Sequence, residues 1–211
     1  MPLLIPDPDT KYPIEGYDKL IFLKNVIKAP NIFVGDFTYF DDRKNDPSLF
    51  ELNNVLYNYD FSKTKLVIGK FCAIAAEVKF IMTGDHKLDA ISTYPFPIFG
   101  KDWQKAFNIF DLPVKGDIIV KNDVWIGYDA LIKNGVTIGN GAIIATRANV
   151  VKDVPAYSIV AGNPAKVVKM RFDDKTIERL EKISWWDWDI EKITTHLNII
   201  TNQDVDLLER L

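Results

Sequence analysis

Residues 117–154 read DIIVKNDVWIGYDALIKNGVTIGNGAIIATRANVVKDV. An aliphatic residue recurs there at every sixth position: Val120, Ile126, Ile132, Ile138, Ile144 and Val150. Four residues after each stands a second small or apolar residue: Val124, Ala130, Val136, Ala142, Ala148 and Val154. Helices repeat near 3.6 residues and strands near 2, so neither explains this pattern. A period of six belongs to a parallel β-solenoid, left-handed or right-handed, in which six residues form one flat side of a coil. Three such sides make one coil of about 18 residues. Val120 then stacks on Ile138, Ile126 on Ile144 and Ile132 on Val150, with strands roughly 4.8 Å apart. Corners fall at Lys121-Asn122-Asp123, Lys133-Asn134-Gly135 and Gly139-Asn140-Gly141, residue types that tolerate a left-handed backbone.

Working outward, the same period places a rung at residues 31–40, with Val34-Gly35 opening a hexad, and resumes at Ile68-Gly69, Ile74-Ala75 and Phe80. The polar stretch 41–54 breaks it and reads as an insertion. A second break, 82–116, is too long for a turn between rungs. The ladder continues less regularly from Tyr157 to Val168. Residues 1–30 form a proline-rich N-terminal segment with a short helix over Leu20–Ile27. Residues 169–211 form a helical segment: Asp173 or Asp174 caps a helix carrying Ile177, Leu180 and Ile183, and Ile190, Ile193 and Leu197 mark another. Trp185, Trp186 and Trp188 read as packing residues between them. A helix is expected to close the open end of the coil, because a bare end exposes strand edges. The fold class is thus all-β: a solenoid over 31–168, with insertions at 41–54 and 82–116, followed by C-terminal helices.

Composition narrows the function classes. Forty-seven per cent of the 211 residues are apolar and 26% charged, an ordinary globular balance, and the net charge of −3 argues against general nucleic-acid binding. The N-terminus lacks a basic start followed by an apolar run, and no stretch approaches the ~20 apolar residues of a membrane span. A soluble cytoplasmic protein is expected. The single cysteine, Cys72, permits no internal disulfide and falls in a hexad as a small buried residue. Two histidines cannot supply a three-histidine zinc site, and one cysteine excludes a thiolate site, so no catalytic metal is expected.

Two features carry chemistry. His86 lies in TGDHKLD, at the start of the 82–116 break. It is either a general base oriented by Asp85 or Asp89, or a loop histidine bonded to backbone. His196, on a helical pattern, reads as a surface or packing residue. The break also carries five aromatics between Tyr94 and Phe107, which implies a packed excursion, either a structural flap or a functional loop. The second feature is electrostatic. Residues 147–171 hold Arg147, Lys152, Lys166, Lys169 and Arg171 against the single acid Asp153. This is either a solvated face or a site for a phosphorylated cofactor. No P-loop or Gly-x-Gly-x-x-Gly pattern accompanies it.

The stretch DVWIGYDALIKNGVTIGNGAIIATRANVVKDVPAYSIVAGNPAKVVKMRF, residues 123–172, resembles the hexapeptide-repeat acyltransferase signature. With the STYPF loop after His86 and the WWDW segment, it is similar to the xenobiotic acetyltransferases, closest to the streptogramin A (virginiamycin) group and related to the type B chloramphenicol acetyltransferases. The resemblance runs from about residue 12 to the WWDW segment. It implies a left-handed parallel β-helix, a homotrimer with acetyl-CoA between adjacent subunits, and His86 as the general base acting on a small hydroxylated acceptor. Trp125, Gly127 and Tyr128 match the stretch along which the pantetheine arm runs, Ala145 and Thr146 the rung beneath it, and Val151 and Lys152 the following turn. Lys166, Lys169 and Arg171 would face the CoA phosphates. Tyr39 and Tyr59 match acceptor-lining aromatics, and Tyr94, Phe96 and Trp103 are further contributors. The streptogramin enzymes read N-G-A-N-H before STYPF, whereas this chain has Thr83-Gly84-Asp85-His86, so Asp85 replaces a neutral neighbour.

The expected activity is acetyl transfer from acetyl-CoA to a hydroxyl of an antibiotic such as streptogramin A or chloramphenicol. Two alternatives stand beside it. One is an O-acetyltransferase acting on a sugar or glycan, which a polar acceptor wall would favour. The other is a non-catalytic trimeric solenoid scaffold.

Overall fold

A computed structural model describes residues 3–59, 61 and 63–211. Three sheets make up its body. The first contains, strand beside strand, Leu20–Phe22, Tyr39–Asp41, Ala73–Ala75, Trp125–Ile126, Ile143–Ile144, Ser158–Ala161 and Lys166–Met170. The second contains Val55–Leu56, Lys79–Ile81, Leu131–Lys133 and Asn149–Val150. The third contains Ile32–Val34, Leu66–Ile68, Ile118–Val120 and Thr137–Ile138, and Val154 bridges onto Ile138. From Tyr39 to Ala161 the chain visits first, second and third sheet in unchanging order, and the strands it lays down there pair with one another in parallel. The result is a three-sided coil.

The six-residue period is the cause. Each short strand points one aliphatic side chain inward, and the residue four later fills the space behind the next corner. All twelve predicted interior residues between Val120 and Val154 are at most 5% exposed. The registers stack Ile138 on Val120, Ile144 on Ile126 and Val150 on Ile132. Burying each Val or Ile is worth about 1.5–3 kcal/mol, so a continuous apolar column holds the coils together. Ile68, Ile74 and Phe80 extend it upward, all buried. The corners need left-handed backbone, and the third residue of each predicted corner supplies it: Asp123 at φ 55°, Gly135 at 76° and Gly141 at 63°. Gly139 is demanded by proximity instead, since a Cβ there would lie 2.4 Å from the Ala156 amide nitrogen.

Four features differ from the sequence expectations. Leu20–Phe22 is a strand antiparallel to Tyr39–Asp41, and only Leu23–Val26 turns, as a 3-10 segment, so no α-helix spans 20–27. The exposed edge of the first rung outweighs the weak helical spacing of this Leu-Ile-Phe run. Residues 41–54 are more than a polar insertion, because Phe50 is fully buried against Phe40 and Phe80 at ring separations of 5.0 and 6.1 Å. The parallel ladder stops at Ala161, and Lys166–Met170 folds back antiparallel on Ser158–Ala161. Antiparallel strands therefore close both edges of the first sheet.

The fourth difference concerns the helices. They lie along one edge of the coil rather than across its end. That edge, where the third sheet passes into the first, carries the corner residues Phe37, Phe71, Asp123 and Tyr157. Phe71 stacks on Phe37 at 5.1 Å and meets Trp185 at 4.9 Å. Trp186, Leu180 and Leu208 form a second buried cluster with Tyr157. Lys70 and Asn140, two coils apart on the same edge, reach Asp187 and Glu181 of the helical segment. The Asp173 carboxylate accepts from the Thr176 amide at 2.7 Å and starts the helix Asp174–Ile183. Among the described residues no helix is long and apolar enough to cross a membrane.

Candidate active site

The 82–116 excursion leaves the coil after Lys79–Ile81 of the second sheet and returns at Ile118 of the third. It therefore departs from the edge opposite the first sheet. Asp85 fixes its two roots. One carboxylate oxygen accepts from Lys115 Nζ at 3.1 Å and the other from Asn134 Nδ2 at 2.7 Å. Burial pushes the Asp85 carboxyl upward, but these hydrogen bonds outweigh it and hold the group below the usual aspartate range.

The next residue is His86, exposed, with Nδ1 2.7 Å from the Thr93 carbonyl oxygen. A carbonyl can only accept, so the neutral ring carries its hydrogen on Nδ1 and keeps the Nε2 lone pair bare. The ring's hydrogen-bond partner is thus a backbone carbonyl seven residues on, and neither Asp85 nor Asp89 touches it. No sequence pattern announces that partner, because any residue type at 93 supplies a carbonyl.

The aromatics of the excursion pack on one another. Tyr94 stacks on Phe99 at 5.2 Å, and Trp103 stands edge-on to Phe96 at 5.2 Å. A second run, Tyr57, Tyr59, Phe61 and Phe110, ties the excursion to the chain after Val55–Leu56. Thr83 Oγ1 donates to the Tyr57 carbonyl at 2.6 Å, which brings Tyr59 to the His86 side of the molecule.

The first sheet presents a different surface. Its registers align Tyr39, Ala73, Trp125, Ile143, Ile159 and Lys169 in one outward row. Two residues further along these strands stand Ala75, Gly127, Ala145 and Ala161, beside Lys166. With at most a methyl group on each, this row is a shallow trough running parallel to the coil axis. From the Ala75 strand to the Ala161 strand it crosses three strand intervals, roughly 14 Å at 4.8 Å each, with Asp41 at one end and Lys166 at the other. A cleft of about 380 Å³ opens over its upper part, floored by Tyr39, Ala73, Ala75, Trp125 and Tyr128 and rimmed by Asp41, Arg43, Lys44 and Glu77. The Asp41 carboxylate accepts from Tyr17 and Arg43 donates to the same hydroxyl. Burial, with Asp41 beside it, raises the Tyr39 phenol above the usual tyrosine range. These rim residues were not singled out by the sequence, since charged residues after a strand look like ordinary surface.

The candidate residues thus fall into two groups in one chain. Tyr39, Trp125, Gly127, Tyr128, Ala145, Lys166 and Lys169 follow the first sheet, and Thr146 is exposed at the corner just after Ala145. His86, Tyr59, Val151 and Lys152 belong to the opposite edge, where the pairing of Leu131–Lys133 with Asn149–Val150 sets Val151 level with Lys133. Arg171 joins neither group. Its guanidinium donates to the Gly141 carbonyl at 2.6 Å, lies 3.8 Å from Asp123 and covers the Tyr157 and Phe172 rings at 5.5 Å. Among the described residues no group of three or more His, Cys, Asp or Glu is placed to hold a metal ion.

The chain matches no protein-family model. It is 52% identical over 164 residues to a probable macrolide acetyltransferase of Lysinibacillus sphaericus, covering 77% of this chain and 91% of that protein. It is 45% identical over 207 residues to the virginiamycin A acetyltransferase of Staphylococcus aureus, covering 97% and 93%. It is 40% identical over 194 residues to a chloramphenicol acetyltransferase of Agrobacterium fabrum, covering 90% and 91%. Among solved structures, a hexapeptide-repeat acetyltransferase of Vibrio cholerae is 23% identical, covers 69% of this chain and 70% of its own, and superposes with a TM-score of 0.44. Identity at this level, sustained from one end of the chain to the other, makes it a member of the acetyltransferase family that includes the virginiamycin A and chloramphenicol enzymes.

Proposed function

We propose that the chain is a cytoplasmic O-acetyltransferase that moves the acetyl group of acetyl-CoA to a hydroxyl of a largely apolar antibiotic of the streptogramin A or chloramphenicol type. The observation that carries this is the His86 ring, held through Nδ1 by the Thr93 carbonyl so that Nε2 is bare. Nε2 takes the acceptor hydroxyl proton as the oxygen attacks, and returns it to the departing thiolate sulfur. Base catalysis of this kind supplies about 10²–10⁴-fold. Acetyl-CoA, as substrate, brings the activated acetyl thioester.

The trough suits an extended pantetheine arm: it is shallow and lined by Ala and Gly, with Trp125 and Tyr128 along one side and Lys166 and Lys169 at the end where phosphates would lie. Two lysines at a solvent-facing end favour phosphate oxygens through charge-assisted hydrogen bonds. The exposed aromatics, Tyr39 in the cleft and Tyr59 beside the excursion, favour an apolar acceptor over a glycan.

One chain separates His86 from the trough, on opposite sides of the coil. We infer a left-handed coil assembled as a homotrimer about an axis parallel to its own. Such symmetry leaves equal coils at equal heights. The His86 edge of one subunit then faces the first sheet of the next at the level of Ala73 and Trp125, with Val151 and Lys152 lower down the same groove. The site is complete only between subunits.

The test measures acetyl transfer from acetyl-CoA to virginiamycin M, chloramphenicol and a simple galactoside, for the native protein and His86→Ala. Expected is transfer to an antibiotic, with kcat reduced about 10²–10⁴-fold in the variant and acetyl-CoA binding retained. Full activity of His86→Ala refutes the base assignment, and activity on the galactoside alone refutes the acceptor class.

A further inference from the structure

Asp85 is covered to 13% exposure although it stands at the mouth of a long surface excursion. Its two oxygens join three separate parts of the chain: the outgoing root at Asp85 itself, the returning root at Lys115, and the coil corner at Asn134. Asn134 is 4% exposed, so the donor it gives to Asp85 has no solvent to fall back on. The corner is further locked by the Gly135 amide, which donates to the Gly116 carbonyl at 3.1 Å. Immediately after Asp85, the His86–Thr93 hydrogen bond closes a small loop. His86 is thus suspended between two ties, one on each side of its own Cα.

We propose that Asp85 is a positioning residue for catalysis: its clamp on Lys115 and Asn134 sets the place and the tautomer of His86 without touching substrate. This rests on the reading of His86 as the base. The clamp leaves the His86 backbone little freedom, so the ring meets the Thr93 carbonyl in one orientation. Without it the outgoing root loses both Asp85 tethers and keeps only the Thr83–Tyr57 one, which lies on the coil side of His86, so the short loop closed by Thr93 is free to turn as a unit. A displacement of about 1 Å at a reacting group is enough to cost on the order of 10²-fold in rate. Asparagine at this position would keep an oxygen for Lys115 and, once the Asn134 side-chain amide turns over, donate its own amide to the Asn134 side-chain oxygen, which is buried and otherwise without a partner among the described residues. The clamp is therefore geometric, and an uncharged isostere preserves it.

The chain has only two histidines, so imidazole nitrogen NMR reads His86 directly. His196, whose Nδ1 meets the Lys192 carbonyl at 2.8 Å, is an internal control. The experiment compares the native protein with Asp85→Ala and Asp85→Asn. Expected for Asp85→Ala are a fall in kcat of about 10–100-fold, an unchanged KM for acetyl-CoA, and His86 nitrogen shifts that move from the fixed Nδ1–H tautomer towards an average, with His196 unmoved. Asp85→Asn is expected to restore both the rate and the His86 shifts. Unchanged His86 shifts in Asp85→Ala overturn the proposal whatever the rate does, and so does failure of Asp85→Asn to restore them. If Asp85→Ala does not fold, Lys115→Met, which removes one tether at a half-exposed site, is read by the same shifts. Should His86→Ala prove fully active, the base assignment falls, while the NMR comparison still judges the clamp.

Discussion

Replacing Asp123 by asparagine should stabilise the protein in a pH-dependent way. Burial raises its carboxyl from 3.8 to about 6, and the Arg171 guanidinium only partly opposes this. Between those two values the folded chain retains a proton that the unfolded chain has released. Native stability therefore falls as pH rises from about 4 through 6, and stays at the lower level above it. At 1.36 kcal/mol per unit, the full effect has a ceiling of about 3 kcal/mol. The side chain is 32% exposed, and solvent screening reduces the expected change to about 1–2 kcal/mol. Asparagine is suited to the test because the residue sits at φ 55°, a left-handed conformation that Asn and Asp share. The substitution thus removes the charge and leaves the corner intact. Thermal unfolding of native and Asp123→Asn protein at pH 4.5 and pH 7.5, at one protein concentration, gives the required double difference. About a third of the change has already occurred at pH 4.5, so the variant's advantage should grow by about 1–5 °C between the two pH values for a chain of this length. A difference between the two proteins that does not change with pH would refute the burial argument.

Two further predictions use the trough and the rungs. Lys166→Met with Lys169→Met should raise the KM for acetyl-CoA about tenfold or more, the low end for a single charge-assisted contact, and blunt its dependence on salt, while kcat at saturating donor is preserved. Steady-state kinetics at two ionic strengths check this, and an unchanged KM would remove the lysines from the donor site. Gly139→Ala forces a methyl group to 2.4 Å from the Ala156 nitrogen and 2.6 Å from its Cα, both rigid backbone atoms of the next coil. Overpacking of this kind costs about 1–3 kcal/mol or more, so the unfolding midpoint should drop by about 2–12 °C, as differential scanning fluorimetry would read.

The interior of the coil was legible because one residue in six must be aliphatic to fill it, and Val120 through Val154 repeat that demand without interruption. The corners at Asp123, Gly135 and Gly141 were legible for a different reason, since left-handed backbone selects Asn, Asp and Gly. Corners that break this preference were not: Asp129 announces itself, but Arg147, Glu77, Phe37 and Phe71 adopt the same conformation with side chains that carry no such signal. The strand Leu20–Phe22 and the reversal at Lys166–Met170 were hidden too, because each is created by an edge elsewhere in the sheet rather than by its own spacing. The same holds for the placement of the helices, which the exposed faces of Phe71 and Tyr157 determine. At the site, His86 stood out by scarcity. Its partner did not, because a backbone carbonyl has no sequence identity. Arg171 looked like a phosphate ligand in a basic run, yet the chain reversal after Ala161 turns it towards Asp123 and Gly141.

The position of the long excursion has a consequence for how such a protein can change. Side chains alternate inward and outward along each strand, so one residue added within a side would turn the rest of that side inside out. A residue added at an edge of the coil disturbs nothing. The 82–116 excursion demonstrates this: Ile81 still pairs with Lys133, and Ile118 with Leu66, on either side of it. Length, sequence and shape can therefore drift in the segment that carries His86 and its aromatics while the registers of the sheets stay put. Selection for a new acceptor can act on the edges, and the trough keeps its spacing through every such experiment.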